Sequence, residues 1–212
     1  MIQMNEISNN VIIGAGEKVN KLVQKALDEK QDVDIILKKG LIAGMSVVGE
    51  RFKNGEMYIP EVMLAARCMK DGMEILKPFL SSKKSTSLGT IVIGTVKGDL
   101  HDIGKNLVMM MLEGAGFDVI DLGVDVPNEK FVAEVKEKKA NILAMSALLT
   151  TTMSETKEVI KILESSGLRH KVKVMVGGAP ITEAFTVKIG ADAYARDAGV
   201  AVDRAKEILN IR

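Results

Sequence analysis

From residue 90 onward, short runs of β-branched apolar residues alternate with stretches of helical periodicity, and no other feature of the chain narrows its possible folds as far. The runs fall at 90–96, 119–124, 142–148, 172–176 and 191–195, and the helical stretches at 103–115, 129–139, 153–165, 181–188 and 198–209. Strand followed by helix, repeated in this way, predicts an α/β domain with a parallel sheet and right-handed crossovers. The expected architecture is a Rossmann-like, doubly wound sheet of five strands, flavodoxin-like in strand order. Such sheets bind ligands beyond the carboxyl ends of their strands, where the strand order reverses. Function is therefore to be sought in the loops at 95–104, 123–128, 146–152 and 177–182.

Residues 1 to about 80 lack this alternation. Apolar residues at Val19, Leu22, Val23, Ala26 and Leu27 recur three and four apart, which predicts a helix. A second helix starts near Asp32 to Asp34, where Asp can cap, and runs through Ile35, Ile36, Leu41, Met45 and Val48. Its glycines Gly40, Gly44 and Gly49 mark a face that another helix approaches closely, the alternative being a ligand surface. A third starts just after Pro60 and passes through Val62, Ala66, Met69 and Met73 to Pro78. The reading is a small N-terminal helical bundle. The polar, aperiodic run at 81–89 reads as a linker and divides the chain into a helical domain at 1–84 and a sheet domain at 85–212.

Charge and cysteine content remove several classes of function. Lys and Arg total 29 against 28 Asp and Glu, a net charge of +1, so no field of one sign exists to hold a phosphate backbone and no nucleic-acid partner is expected. The single cysteine, Cys68, excludes an internal disulfide and any Cys-rich zinc or iron-sulfur site, and a reducing, cytoplasmic location is expected. The N-terminus lacks a basic region followed by a long apolar stretch, and no segment reaches the ~18 apolar residues of a membrane span, so neither export nor a membrane partner is expected. Any imidazole chemistry must use His101 or His170.

The first loop, Gly94-Thr95-Val96-Lys97-Gly98-Asp99-Leu100-His101-Asp102-Ile103-Gly104-Lys105, sets one of these histidines among carboxylates. It is not a Walker A loop: five residues rather than four separate Gly98 from Gly104-Lys105, and Asn106 stands where a magnesium-binding hydroxyl is needed. Its glycines also do not open the first helix as a dinucleotide fingerprint requires. What remains is an imidazole with Asp99 two residues upstream, a spacing that puts a carboxylate beside one ring nitrogen while the other faces outward. A carboxylate so placed fixes the tautomer of a metal-ligating imidazole and raises its basicity. One such arm cannot hold a bare ion, whereas a metal already carried by a macrocycle needs only one protein ligand. The alternative is that His101 merely caps or packs the start of a helix. The third loop adds Ser146-Ala147-Leu148-Leu149-Thr150-Thr151-Thr152 and the fourth adds Gly177-Gly178, each directly after an expected strand.

Asp99, His101 and Gly104, then Ser146 and Leu148, then Gly177-Gly178, in this order and spacing, resemble the family of cobalamin-binding domains. The helical half, with Met45-Ser46-Val47-Val48-Gly49 and Tyr58-Ile59-Pro60-Glu61-Val62, resembles that family's N-terminal cap. The whole is similar to the cobalamin module of cobalamin-dependent methionine synthase and, at this length, to the free-standing corrinoid proteins of methanogen and acetogen methyltransferase systems. The resemblance implies cobalamin or a related corrinoid as cofactor, with cobalt cycling between cob(I)alamin and methylcob(III)alamin. It implies His101 as the lower axial ligand of cobalt, Asp99 as the hydrogen-bond partner of the other ring nitrogen, and Thr152, where the family has serine, at the end of the relay. Gly104 belongs to the same motif. Ser146, Leu148 and Thr150 would line the slot for the cofactor's nucleotide tail, with Gly177 and Gly178 allowing its insertion, and Phe52 and Ile59 would cover the upper face. The implied partners are a substrate-specific methyltransferase, a methyl-accepting methyltransferase using coenzyme M or tetrahydrofolate, and a reductive activation protein. A cobalamin-binding sensor or a mutase-type subunit is the alternative within the same chemistry.

Overall fold

A computed structural model describes residues 2–80 and 87–211, which form two compact units: residues up to Ser87 together with Glu113–Gly116, and Leu88–Leu112 together with Phe117 onward. Positions 81–86, most of the expected linker and the expected boundary at 84, lie outside the described residues. No helix among the described residues is long and apolar enough to cross a membrane.

The first unit is helical. Its elements are α1 (Met4–Ile12), α2 (Gly16–Asp28), the short α3 (Val33–Ile35), α4 (Ala43–Lys53) and α5 (Ile59–Leu80), with a π-helical stretch, Ile36–Ile42, joining α3 to α4. The Asp32 carboxylate opens α3 by accepting from the amides of Asp34 at 2.8 Å and Ile35 at 3.3 Å, the cap that its position implies. Helix α5 begins at Ile59, slightly ahead of the expected start, because Glu61 reaches back to accept from the Tyr58 amide at 2.8 Å. The close approach read from the glycines is present at two of them. A Cβ on Gly40 would lie 3.1 Å from Ile7 Cγ2, and one on Gly44 would lie 2.8 Å from Val11 Cβ. Both neighbours belong to α1, a helix that sequence reasoning did not assign.

The second unit has strands β1 (Thr90–Thr95), β2 (Asp118–Asp121), β3 (Ile142–Ser146), β4 (Lys173–Gly177) and β5 (Ala193–Ala195). Between and after them lie α6 (Ile103–Gly114), α7 (Asn128–Lys138), α8 (Met153–Ser165), α9 (Glu183–Ile189) and α10 (Ala198–Ile208). All pairings are parallel and the order is β2-β1-β3-β4-β5, the flavodoxin-like arrangement. Strands β1 and β3 are buried almost throughout, as expected where both faces of a sheet are covered, and β2 is an exposed edge. The register pairs Thr95 with Ser146 and Ser146 with Gly177, so the loops that follow β1, β3 and β4 leave the sheet side by side. Strand order reverses between β1 and β3, and that is where the site lies.

Candidate functional site

The loop after β1 turns sharply at Gly98, whose φ of +78° favours glycine, and the Asp99 amide then donates to Val96 O at 3.1 Å. This turn carries the Asp99 carboxylate into the sheet edge, where the residue is fully buried. Its Oδ1 lies 2.7 Å from His101 Nδ1 and also accepts from the His101 amide at 3.1 Å. Its Oδ2 accepts from the Leu148 amide at 2.7 Å, the Leu149 amide at 3.3 Å and the Thr152 hydroxyl at 2.8 Å. Burial pushes the carboxyl upward, yet the hydrogen bonds from His101, Leu148 and Thr152 outweigh it and hold Asp99 well below the usual carboxylate range. An ionised Asp99 accepts only, so Nδ1 of His101 carries a proton, and in the neutral ring Nε2 is then the nitrogen with the lone pair. Nε2 has no partner among the described residues, and the His101 side chain is 51% exposed.

Thr152 stands at the N-cap of α8 without capping it, because its hydroxyl is turned to Asp99 and lies 3.0 Å from Leu149 O. Ser146, half-buried, ends β3, and Leu148 and Thr150 are exposed in the loop that follows. Gly177 and Gly178 have a reason inside the protein: a Cβ on the first would meet Ala195 O at 2.9 Å, and one on the second would collide with the Ala147 backbone. Gly104 differs, since a Cβ there would meet nothing within 4 Å. Leu100 and Ile103, which flank His101, are 72% and 76% exposed. Phe52 on α4 is half-buried and Ile59, the first residue of α5, is exposed. His170 falls in a 3₁₀ turn before β4, at the opposite end of the strands from His101, so the two histidines do not share a site.

Three side chains that sequence reasoning passed over also hold this region. The buried Thr95 donates its hydroxyl to His101 O at 2.8 Å. Asp125, in the loop after β2, accepts from the Gly98 amide at 2.7 Å and donates its own amide to Asp99 O at 2.9 Å. The buried Lys105 donates to Asp121 at 2.7 Å and joins α6 to the end of β2. Of the three only Thr95 stands at a strand end, Asp125 lying in the loop after β2 and Lys105 in the first turn of α6, and two of the three act through backbone groups, so the sequence carries little signal for them.

The arrangement offers one imidazole nitrogen of fixed tautomer, with the exposed apolar Leu100 and Ile103 and the open Gly104 next to it in sequence. Among the described residues no group of three or more His, Cys, Asp or Glu converges to hold a bare metal ion. A single nitrogen donor in such surroundings fits a metal that brings its own equatorial ligands and an apolar rim.

A family model described as a B12 binding domain matches residues 89–203, and a second of the same description matches residues 3–77. The chain is 48% identical to dimethylamine corrinoid protein 3 of Methanosarcina acetivorans, over 97% of this chain and 96% of that protein. It is 45% identical to a corrinoid protein of Desulfitobacterium hafniense, over 99% of this chain and 98% of the other. Among solved structures it resembles a chain of the methanol:cobalamin methyltransferase complex of Methanosarcina barkeri, with a TM-score of 0.89 at 32% identity over 98% of this chain and 79% of that one. A cobalamin-binding protein of Desulfitobacterium hafniense matches with a TM-score of 0.81 at 33% identity over 98% of both chains.

Proposed function

The chain belongs to the family of B12-binding corrinoid proteins, and from that premise we propose that it is the methyl carrier of a corrinoid-dependent methyltransferase system. When bound, the corrinoid would supply a cobalt centre for the transfer of a methyl group. His101 would hold the cobalt through Nε2. Asp99 holds the proton on Nδ1, orients the ring and raises its basicity. Thr152 satisfies the far oxygen of that carboxylate and ends the relay through which a proton reaches the ligand. Leu100 and Ile103 offer apolar surface beside the imidazole, and Gly104 keeps the start of α6 clear. Ser146, Leu148, Thr150, Gly177 and Gly178 would hold the cofactor's nucleotide tail. Phe52 and Ile59 would be the residues of the helical unit that keep water from the cofactor.

The partners in this reading are a substrate-specific methyltransferase, a methyl-accepting methyltransferase acting on coenzyme M or tetrahydrofolate, and a reductive activation protein, all in the cytoplasm. Relatives named for dimethylamine and trimethylamine make methylamines the first donors to assay. The observation that carries the reading is the Asp99–His101 pair, locked from the β3 side and presenting one free nitrogen. The test is the visible spectrum of the protein after reconstitution with hydroxocobalamin and removal of free cofactor, beside that of His101→Ala. Retained corrinoid with a His101-dependent spectrum is expected. A folded protein that retains none overturns the reading.

A further inference from the structure

We propose that Asp125 is a positioning residue for His101, acting through the backbone of the loop after β1. Asp99 is gripped from two neighbouring strands. On the β3 side its carboxylate is held by the Leu148 amide and Thr152. On the β2 side its peptide is held by Asp125, whose amide donates to Asp99 O at 2.9 Å while its carboxylate accepts from the preceding Gly98 amide at 2.7 Å. One residue therefore binds both sides of the turn that aims the Asp99–His101 pair. Asp125 does so from a left-handed conformation, φ +50°, that L-residues other than Asn and Asp adopt at a cost, and it faces Gly98 at φ +78°. The two left-handed residues interlock, and the direction of the imidazole depends on both. Thr95 fixes only the far end of the same loop, at His101 O.

The inference rests on the methyl-carrier reading for one of its two readouts and is independent of it for the other. In the full chain with ¹⁵N-labelled histidine, loaded with hydroxocobalamin and reduced to Co(II), the ¹⁵N doublet splitting in the electron paramagnetic resonance spectrum reports the share of cobalt bound by His101, apart from the ¹⁴N triplet of the cofactor's own base. Asp125→Ala should retain corrinoid while the ratio of histidine-bound to histidine-free cobalt falls about tenfold, the scale of one lost hydrogen bond. Asp125→Asn keeps an acceptor and tolerates the conformation, and should stay within about twofold of wild type. Asp125→Gly keeps the conformation without the acceptor and should follow the alanine variant. In the unloaded protein, the His101 ring ¹⁵N shifts should move in Asp125→Ala toward the values of a freely rotating, tautomer-averaged imidazole. Wild-type behaviour of Asp125→Ala in either readout overturns the inference. So does an asparagine variant that falls as far as alanine, since charge rather than geometry would then be responsible. If wild type takes up no corrinoid, the methyl-carrier reading fails and the ring shifts alone decide the role of Asp125.

Discussion

Thr152 has one hydroxyl proton and two acceptors in reach, Asp99 Oδ2 at 2.8 Å and Leu149 O at 3.0 Å. With Asp99 ionised the proton goes to the carboxylate, where the bond is charge-assisted. Its methyl lies toward Gly98, 3.6 Å from where a Cβ would stand there, so the side chain bears on the same turn that its hydroxyl serves. Thr152→Val keeps the shape and removes the donor. It should cost about 1–3 kcal/mol in a urea titration, with Thr152→Ser close to wild type. Asp99 sets a pH dependence of definite sign. A carboxyl whose pKa is lowered by folding stabilises the fold fully above its unfolded pKa, about 3.9, and loses that contribution as the pH falls through the folded value. The gap in guanidinium midpoint between wild type and Asp99→Asn should be flat above about pH 5 and shrink below about pH 4; a gap unchanged to about pH 3 would contradict an ionised, hydrogen-bonded Asp99. At this scale the Asp99–His101 pair was legible because two residues of separation suffice to bring them together. Thr95 and Asp125 were not, because their partners are main-chain groups that carry no residue identity.

Among the elements, the strands and helices of the second unit follow the alternation closely, α8 without a shift at either end and the others within a few residues. Two features of the helical unit escaped it. Helix α1 has Met4, Ile7 and Val11 at helical spacing, but Ser8-Asn9-Asn10 between them are weak helix formers, and packing rather than propensity holds the turn. The π-helical Ile36–Ile42 leaves no mark in periodicity, since one extra residue per turn is set by what the helix packs against. Gly44 shows packing overruling propensity. In a free helix glycine to alanine gains about 1 kcal/mol. Here the added methyl would stand 2.8 Å from Val11 Cβ and 2.9 Å from Ser8 O, so Gly44→Ala should instead lower stability by about 1–3 kcal/mol, read as a fall in the urea midpoint. A rise would show that α1 yields freely.

For the whole molecule, strand order makes the site. The loops bearing Asp99 and Thr152 are far apart in sequence and meet only because β1 and β3 are neighbours. The five-strand pattern made the parallel sheet foreseeable, and with it the edge on which ligands bind. Anything that binds the folded form alone stabilises it by mass action, about 2.7 kcal/mol at a hundredfold excess over Kd. Hydroxocobalamin should therefore raise the melting temperature of wild type, and raise that of His101→Ala by less at equal concentration. Equal shifts would remove His101 from the binding energy. The long reach of the Asp99 contacts also bears on the timing of synthesis. Its carboxylate meets the Thr152 hydroxyl across 53 residues and the Leu148 amide across 49. A nascent chain that ends before Leu148 already contains His101 but none of the β3-side donors that hold the Asp99 carboxylate, so the pair is fully locked only after the loop beyond β3 has been made.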